Sequence, residues 1–349
     1  MNVININGRE IEKNHPPYII AEMSANHNGS LERAIQIIKA AKDSGADAIK
    51  LQTFTAESIT LDIDHPRFRL SGKSPWAGER LFDLYAKAAM PWGWHKQLLD
   101  YGKEIGITIF SSPFDAAAVE LLESLEVPAY KIASFELVDL DLVRLCASTG
   151  KPLIMSTGMA SLVEISEAVQ AARDAGCKDL VLLKCTSAYP ALPETINLRT
   201  LPHLAKAFDV IVGLSDHTMG IGVSVAATAL GAAVIEKHFT LSRTDGGLDS
   251  SFSLEPSELI LLVEETRKAH AALGCVTYAQ GDSETSFKSL RRSLFFVRDL
   301  PKGSRIGRDD VRSLRPGDGI SPKFLQNILG HTLKKEVVRG TPVSWDIFT

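Results

Sequence analysis

The sequence predicts a (β/α)8 barrel followed by a small, mainly β C-terminal domain. Two observations carry the barrel. Eight short apolar runs recur up to about residue 240, most of them separated by a helix-length segment. Each run also ends in or near polar, reactive side chains, as expected where an active site is built at the C-terminal ends of parallel strands. A third observation carries the tail: after Gly281 the rhythm gives way to short strand candidates and Pro/Gly turns.

The first run, 18–20, leads to Glu22. Ser30 is placed to cap a helix whose apolar positions Leu31, Ala34, Ile35, Ile38 and Ala41 follow a helical period as far as Gly45. The run 48–51 carries Lys50. The segment 53–91 then breaks the rhythm with Pro66, Gly72, Pro75 and Gly78, and with Arg67, Phe68, Arg69, Lys73 and Trp76 between them. A βα loop of this length belongs over the mouth of the barrel, as a lid or a substrate-contacting loop. A helix at 94–105 stops at Gly106, and the run 107–110 continues into Ser111 and Ser112.

Asp115 is placed to cap a helix at 116–125, and the run 130–133 carries Lys131 and ends near Ser134. After a helix at 139–147, the run 152–155 delivers Ser156 and Thr157. A helix at 161–175 stops at Gly176, and the run 180–183 leads to Lys184, Thr186 and Ser187. A shorter helix at 197–208 precedes the run 210–214, which leads to Ser215, Asp216 and His217. The small-residue segment 220–230 suits tight packing on the barrel wall; the run 232–235 leads to Glu236 and His238. A last helix at 256–273 begins with Pro at a first-turn position.

In the tail, strands are expected at 293–297 and 311–314, a short helix at 322–329, and extended segments at 334–338 and 342–345 around Arg339-Gly340. The expected domains are a barrel over 1–277, a linker over 278–290 and a tail domain over 291–349. So small a tail has little core and is expected to lean on another surface.

With 349 residues and 45% hydrophobic content, the chain can bury a large core. A net charge of −4 gives no global attraction to nucleic acid. The start, Met1-Asn2-Val3-Ile4-Asn5, lacks the basic and apolar regions of a signal peptide, and the most apolar later run, 220–234, is too short to span a bilayer. Cys146, Cys177, Cys185 and Cys275 show no paired-ligand spacing and read as reduced thiols of a cytoplasmic protein. Neither a P-loop nor a G-x-G-x-x-G fingerprint is present, which disfavours a nicotinamide dehydrogenase.

His217 and His238 end consecutive runs and so sit on neighbouring strands, an arrangement suited to Mn²⁺, Zn²⁺ or Fe²⁺ with oxygen ligands completing the shell. No cysteine is expected in this constellation. Glu22, next to the eighth strand, is the natural third participant, and Glu236 shares the inward face of His238. Lys50 and Lys131 lie in otherwise apolar strands, where an ammonium is costly unless paired. They either form internal salt bridges to Glu22 or Glu236 or, with Ser112, Ser134, Ser156 and Ser215, make a cradle for a phosphate or carboxylate. A Schiff-base aldolase is the rival chemistry for a strand lysine, but it gives no reason for the histidine pair.

The run Ala21-Glu22-Met23-Ser24-Ala25-Asn26-His27-Asn28-Gly29 resembles the opening motif of the sialic acid synthase family. So do Lys50-Leu51-Gln52, Ser112-Pro113-Phe114-Asp115, Tyr130-Lys131-Ile132-Ala133-Ser134 and Ser156-Thr157-Gly158-Met159. Leu214-Ser215-Asp216-His217-Thr218 and Glu236-Lys237-His238-Phe239-Thr240 complete the barrel set, and Arg315-Pro316-Gly317-Asp318-Gly319-Ile320 resembles the family's antifreeze-like (SAF) domain. The resemblance implies condensation of phosphoenolpyruvate with an acetamido-deoxy sugar aldehyde, water adding and phosphate leaving by C–O cleavage. It implies His217 and His238 as ligands of a divalent metal (Mn²⁺ first, Mg²⁺ or Co²⁺ as alternatives) that acts as a Lewis acid at the aldehyde. It also implies Glu22 as the catalytic carboxylate, and Lys50, Lys131, Ser112, Ser134, Ser156 and Ser215 as the phosphoenolpyruvate-binding groups. Asp249 matches a sugar-binding carboxylate, and Lys184, Ser187, Tyr189 and Glu236 are expected to contact substrate. Arg315 matches an arginine supplied by the partner subunit of a domain-swapped homodimer.

Two segments depart from the relatives that make ordinary sialic acid. Where those tend to have a Pro-Gly-Pro-Asp-His run, this chain has Gly246-Gly247-Leu248-Asp249-Ser250, with Phe252 close by; it also has Ser187 where they usually have Asn. Both departures look like the pseudaminic acid synthase branch, whose sugar is 2,4-diacetamido-2,4,6-trideoxy-L-altrose. Fewer amide and basic groups suit a 6-deoxy sugar. The alternatives are N-acetylneuraminic and legionaminic acid synthases.

Overall fold

The computed structural model describes residues 3–71, 76–278 and 281–349. Met1, Asn2, Gly72, Lys73, Ser74, Pro75 and two positions of the expected linker lie outside the described residues. The chain divides into two compact units, Met1–Gly274 and Cys275–Thr349.

In the first unit a short antiparallel hairpin, β1 (Ile4–Ile6) and β2 (Arg9–Ile11), precedes the barrel strands. These are β3 (Tyr18–Glu22), β4 (Ala48–Thr53), β5 (Thr108–Pro113), β6 (Tyr130–Ile132), β7 (Leu153–Ser156), β8 (Leu180–Cys185), β9 (Ile211–Ser215) and β10 (Val234–His238). They pair in parallel in chain order, and β10 closes on β3. Each of the eight apolar runs thus becomes a barrel strand.

The two-residue alternation of a strand sorts its side chains between two cores. Ile19, Ala21, Ile49, Leu51, Leu182 and Leu214 face outward to the helices. Tyr18, Ile20, Ala48, Phe110, Ile154, Val181, Leu183 and Val234 fill the barrel interior. The hairpin adds Ile4, Ile6 and Ile11 to that interior cluster. This hairpin is absent from the sequence reading, because three-residue strands are too short to show a period. With the interior filled by apolar side chains, inward polar residues are left for the last positions of the strands, and there they gather.

The helices begin where their caps predict. Ser30 Oγ accepts from the Arg33 amide at 3.2 Å, Asp115 from Ala118 at 2.7 Å, and the last helix, Pro256–Leu273, opens on its proline. The insertion holds a helix the sequence reading lacked, Leu81–Ala88, of which only Leu84 is buried. Trp76 brings its ring 6.0 Å from that of Tyr189, which places this part of the insertion beside the pocket. Among the described residues no helix is long and apolar enough to cross a membrane.

The second unit pairs β11 (Ser293–Phe296) with β12 (Val311–Leu314) around its own buried cluster, including Leu294, Phe296, Ile328, Val343 and Ile347. The extended segments expected at 334–338 and 342–345 reduce to single bridges, Leu300 with Val337 and Phe295 with Pro342.

Candidate active site

The inward alternation places Glu22, Lys50, Ser112, Lys131, Ser156, Ser215, Glu236 and His238 together at the C-terminal end of the barrel, all buried. Lys50 forms an ion pair with Glu22, lies 3.7 Å from Glu236, and donates to Ser112 Oγ at 3.2 Å. The internal salt bridges considered for Lys50 are therefore present. Lys131 differs. It is 2% exposed and donates to the Ile132 carbonyl at 2.9 Å, with no ion-pair partner among the described residues. Ser215 Oγ donates to Glu236 at 3.4 Å.

A second chain of contacts runs from Glu22 toward the expected sugar side. Gln52 Nε2 donates to Glu22 at 3.0 Å and to Ser24 Oγ at 3.1 Å, and Ser24 Oγ donates to Asp249 at 2.5 Å. Ser24 is held at φ 46°, a left-handed conformation uncommon for a residue with a side chain. Its amide also donates to Glu22 at 2.9 Å, so the turn that carries the strain also orients the carboxylate. His27, in the same motif, accepts from the Gly29 amide through Nδ1 and meets Trp94 edge-on, which makes it an organiser of the loop.

The His217 and His238 ring centroids lie 5.3 Å apart. Tyr189 and Phe252 form an aromatic wall beside them: Tyr189 is 4.5 Å from His217, and Phe252 is 5.1 Å from His238 and 5.2 Å from Tyr189. His217 Nδ1 lies 2.9 Å from the Thr186 carbonyl, which fixes a proton on Nδ1; burial lowers this imidazole, but Cys185 and that carbonyl outweigh it and raise it above the usual value. His238 Nδ1 is buried without a hydrogen-bond partner among the described residues and lies 4.0 Å from Asp249. Two oriented imidazoles with an unsatisfied ring nitrogen fit a divalent cation that takes its remaining ligands from oxygen. Among the described residues no set of three or more His, Cys, Asp or Glu side chains forms a preassembled shell.

Burial pushes Glu22 up to about 7, against the pull of Lys50 and with Glu236 adding to the rise. Glu236 is lowered: burial would raise it, but Lys50 and Lys131 outweigh that. Lys131 is lowered by burial, and His238 is held well below the usual imidazole value by burial and by His217, so it is neutral and ready to ligate. Burial also raises Asp249.

Most predicted residues converge here, and some do not. Ser134 and Ser187 meet over Gly158, where a Cβ would come within 2.6 Å and 2.3 Å of their hydroxyls; the glycine is required for this close approach. Lys184 has the outward parity of Leu180 and Leu182, donates to the Cys185 carbonyl at 2.6 Å, and lines a surface hollow with Glu194, Asn197 and His203. Its strand parity is opposite to that of the inward ring. Arg315 lies in the second unit and is exposed.

The expectation that cysteine is absent from the constellation is corrected. Cys185 has inward parity, and its Sγ lies 3.8 Å from His217 Nδ1. Burial raises this thiol, but His217 outweighs it and brings it down to about 7. Sequence reasoning also missed Ser24, Gln52 and Glu136. Parity from Lys50 was enough to find Gln52. Glu136, in the turn after β6, keeps Oε2 buried and unpartnered, and no strand period marks it.

The comparisons with known proteins agree along the chain. Residues 37–278 match the NeuB family model and residues 291–348 the SAF domain model. The chain is 42% identical to a pseudaminic acid synthase of Helicobacter pylori over 95% of its own length and 97% of that protein. It is 37% identical to an N,N'-diacetyllegionaminic acid synthase of Legionella pneumophila over 94% of each. The crystal structure of an N-acetylneuraminic acid synthetase from Leptospira borgpetersenii superposes with a TM-score of 0.72 at 32% identity, covering 82% of this chain and 94% of that one. A (β/α)8 barrel with a separate SAF domain, a polar ring at the strand ends and relatives spanning nearly its whole length place this chain in the NeuB family of phosphoenolpyruvate-dependent synthases, enzymes that form a carbon–carbon bond with an acetamido-deoxy sugar.

Proposed function

We propose that this enzyme condenses phosphoenolpyruvate with 2,4-diacetamido-2,4,6-trideoxy-L-altrose and water, giving pseudaminic acid and phosphate, in the cytoplasm. The observation that carries the reading is Lys131, a buried ammonium with no carboxylate at ion-pair distance among the described residues, on the same inward ring as Ser156, whose Oγ is buried without a hydrogen-bond partner among them. Unsatisfied polar groups of this kind await a ligand, and a cation with hydroxyl donors fits an anionic one. Lys131, Lys50, Ser112, Ser134, Ser156 and Ser215 would hold the phosphate and carboxylate of phosphoenolpyruvate. Glu22, with a carboxyl near neutrality, would move a proton between water and the reacting centre as C3 attacks the aldehyde carbon and phosphate leaves C2.

His217 and His238 would hold the divalent cation, proposed as Mn²⁺, which when bound supplies Lewis-acid polarisation of the aldehyde. Replacing either by Ala should reduce Mn²⁺ affinity and condensation while leaving the barrel folded. A Mn²⁺ titration of the folded variants checks this, and wild-type affinity in both would remove them from the site.

The choice of sugar rests on Phe252 and Tyr189, an apolar wall suited to a 6-deoxy sugar, and on the pseudaminic acid synthase relatives. The Legionella relative favours a second reading, an N,N'-diacetyllegionaminic acid synthase. An N-acetylneuraminic acid synthase is the third. Phosphate release and product mass measured with the three corresponding acetamido sugars decide among them. Turnover restricted to either of the other two sugars would overturn the proposal.

The functional unit would be a domain-swapped homodimer of barrel 1–277, tether 278–290 and tail 291–349. Phe135, Val138, Met159, Leu162, Val163 and Leu192, on the segments following β6, β7 and β8, are more than half exposed, which suits an interface. Arg315 of one tail would reach the sugar of the partner's barrel, where its guanidinium can donate to an acetamido carbonyl. Arg315→Ala and Glu22→Gln chains should each be nearly inactive alone, yet regain activity when mixed, since one barrel then has both groups. No recovery in heterodimers verified by mass would exclude the crossed arrangement.

A further inference from the structure

The alternation that turns His217 and His238 inward turns Asp216 and Lys237 outward, into the layer between barrel and helices. There they form an ion pair at 3.1 Å, with side chains 0% and 1% exposed. Both ions make further hydrogen bonds. Asp216 accepts from Lys237 and from Ser224 Oγ at 2.6 Å through Oδ2, and from the Thr218 amide at 2.9 Å and hydroxyl at 2.8 Å through Oδ1. Lys237 also donates to the Thr218 carbonyl at 2.6 Å. Both residues that flank His217 are therefore held in one network, and the far end of that network is the residue preceding His238. Ser224, in helix Gly222–Ala229, anchors it to the outer layer.

We propose that the Asp216–Lys237 pair is a positioning device that fixes the spacing and aim of the His217 and His238 imidazoles for a divalent cation. The inference rests on the metal reading of those histidines given above. The energetics favour positioning over general stabilisation. Taking two ions out of water costs several kcal/mol each, and an apolar pair of similar volume commonly serves stability as well or better. What an apolar pair lacks is direction. Here the donors and acceptors tie the ends of β9 and β10 to one point, as groups behind a metal ligand commonly orient it. Asp216 and Lys237 touch neither substrate nor metal and act only through their histidine neighbours.

The test uses the full chain with Asp216→Asn/Lys237→Met. This double substitution keeps an acceptor for the Thr218 amide, removes the charges and leaves neither ion stranded. Lys237→Met alone is the companion variant. Mn²⁺ affinity, unfolding midpoint and the ¹⁵N shifts of the histidine rings in the metal-free protein are measured. Affinity should fall by up to about 10-fold in the double variant, less than for losing a group bonded directly to a metal ligand. The ring shifts of His217 and His238 should change while the midpoint stays near that of the wild type. A lowered midpoint with unchanged affinity and unchanged ring shifts would reduce the pair to a structural role and overturn the proposal. Wild-type Mn²⁺ affinity in the His217→Ala and His238→Ala controls would refute the metal reading instead, and the ring shifts would still decide whether the pair positions the histidines.

Discussion

Lys131→Met should weaken phosphoenolpyruvate use by roughly a hundred- to several-thousand-fold in kcat/KM, the equivalent of about 3–5 kcal/mol for breaking a buried charge pair. The loss should fall on phosphoenolpyruvate and spare the sugar, because the two side chains are similar in size and the charge is what changes. The same substitution should stabilise the free protein. Lys131 is lowered by burial, so its ammonium opposes folding at neutral pH. That cost is full below the folded-state value and disappears as pH rises through the ordinary lysine value. Two-substrate kinetics and thermal unfolding at pH 7 and above pH 10 check both halves. A defect confined to the sugar would move Lys131 out of the anion cradle.

Glu22→Gln should reduce turnover by roughly 10²–10⁴-fold, the usual contribution of a positioned acid–base group. Its stability signature has a different pH window. Burial raises Glu22 in the folded state to about 7, so the protonated form favours folding and ionisation opposes it. Wild-type stability should therefore decline between the ordinary carboxylate range and about pH 7, relative to a chain with a neutral amide at that position. The Gln variant should gain up to about 3 kcal/mol above pH 7, and the advantage should fade below pH 5. Unfolding curves for both proteins across pH 4.5–8.5 measure it. A variant less stable than wild type at pH 8 would mean that the Lys50 ion pair outweighs burial.

The barrel was legible because its strands are buried on both faces and separated by capped helices. Ser30, Asp115 and Pro256 start helices where they were expected to, since a cap acts on the backbone next to it. The β1–β2 hairpin was not legible, because what stabilises it is the barrel floor into which Ile4, Ile6 and Ile11 pack. The site was legible where chemistry follows strand parity, as for Glu22, Lys50, Glu236, His217 and His238. Position at a strand end does not itself give the face: Lys184 takes the outward parity of Leu180 and Leu182.

The eight-strand order, the capped helices and the inward polar set are written in the primary structure, because all three follow from local periods of about two or 3.6 residues and from single capping side chains. How charges are shared across strands arises only on folding. Lys50 pairs with Glu22 while Lys131 bonds only the Ile132 carbonyl among the described residues; Cys185 meets His217; Ser24, Gln52 and Asp249 join into one chain; and Asp216 and Lys237 lock together behind the histidines. Those contacts depend on barrel closure and on side-chain directions between residues far apart in sequence. A strand's period sets which face a side chain takes, but which partner it finds there is fixed only when the neighbouring strands are in place.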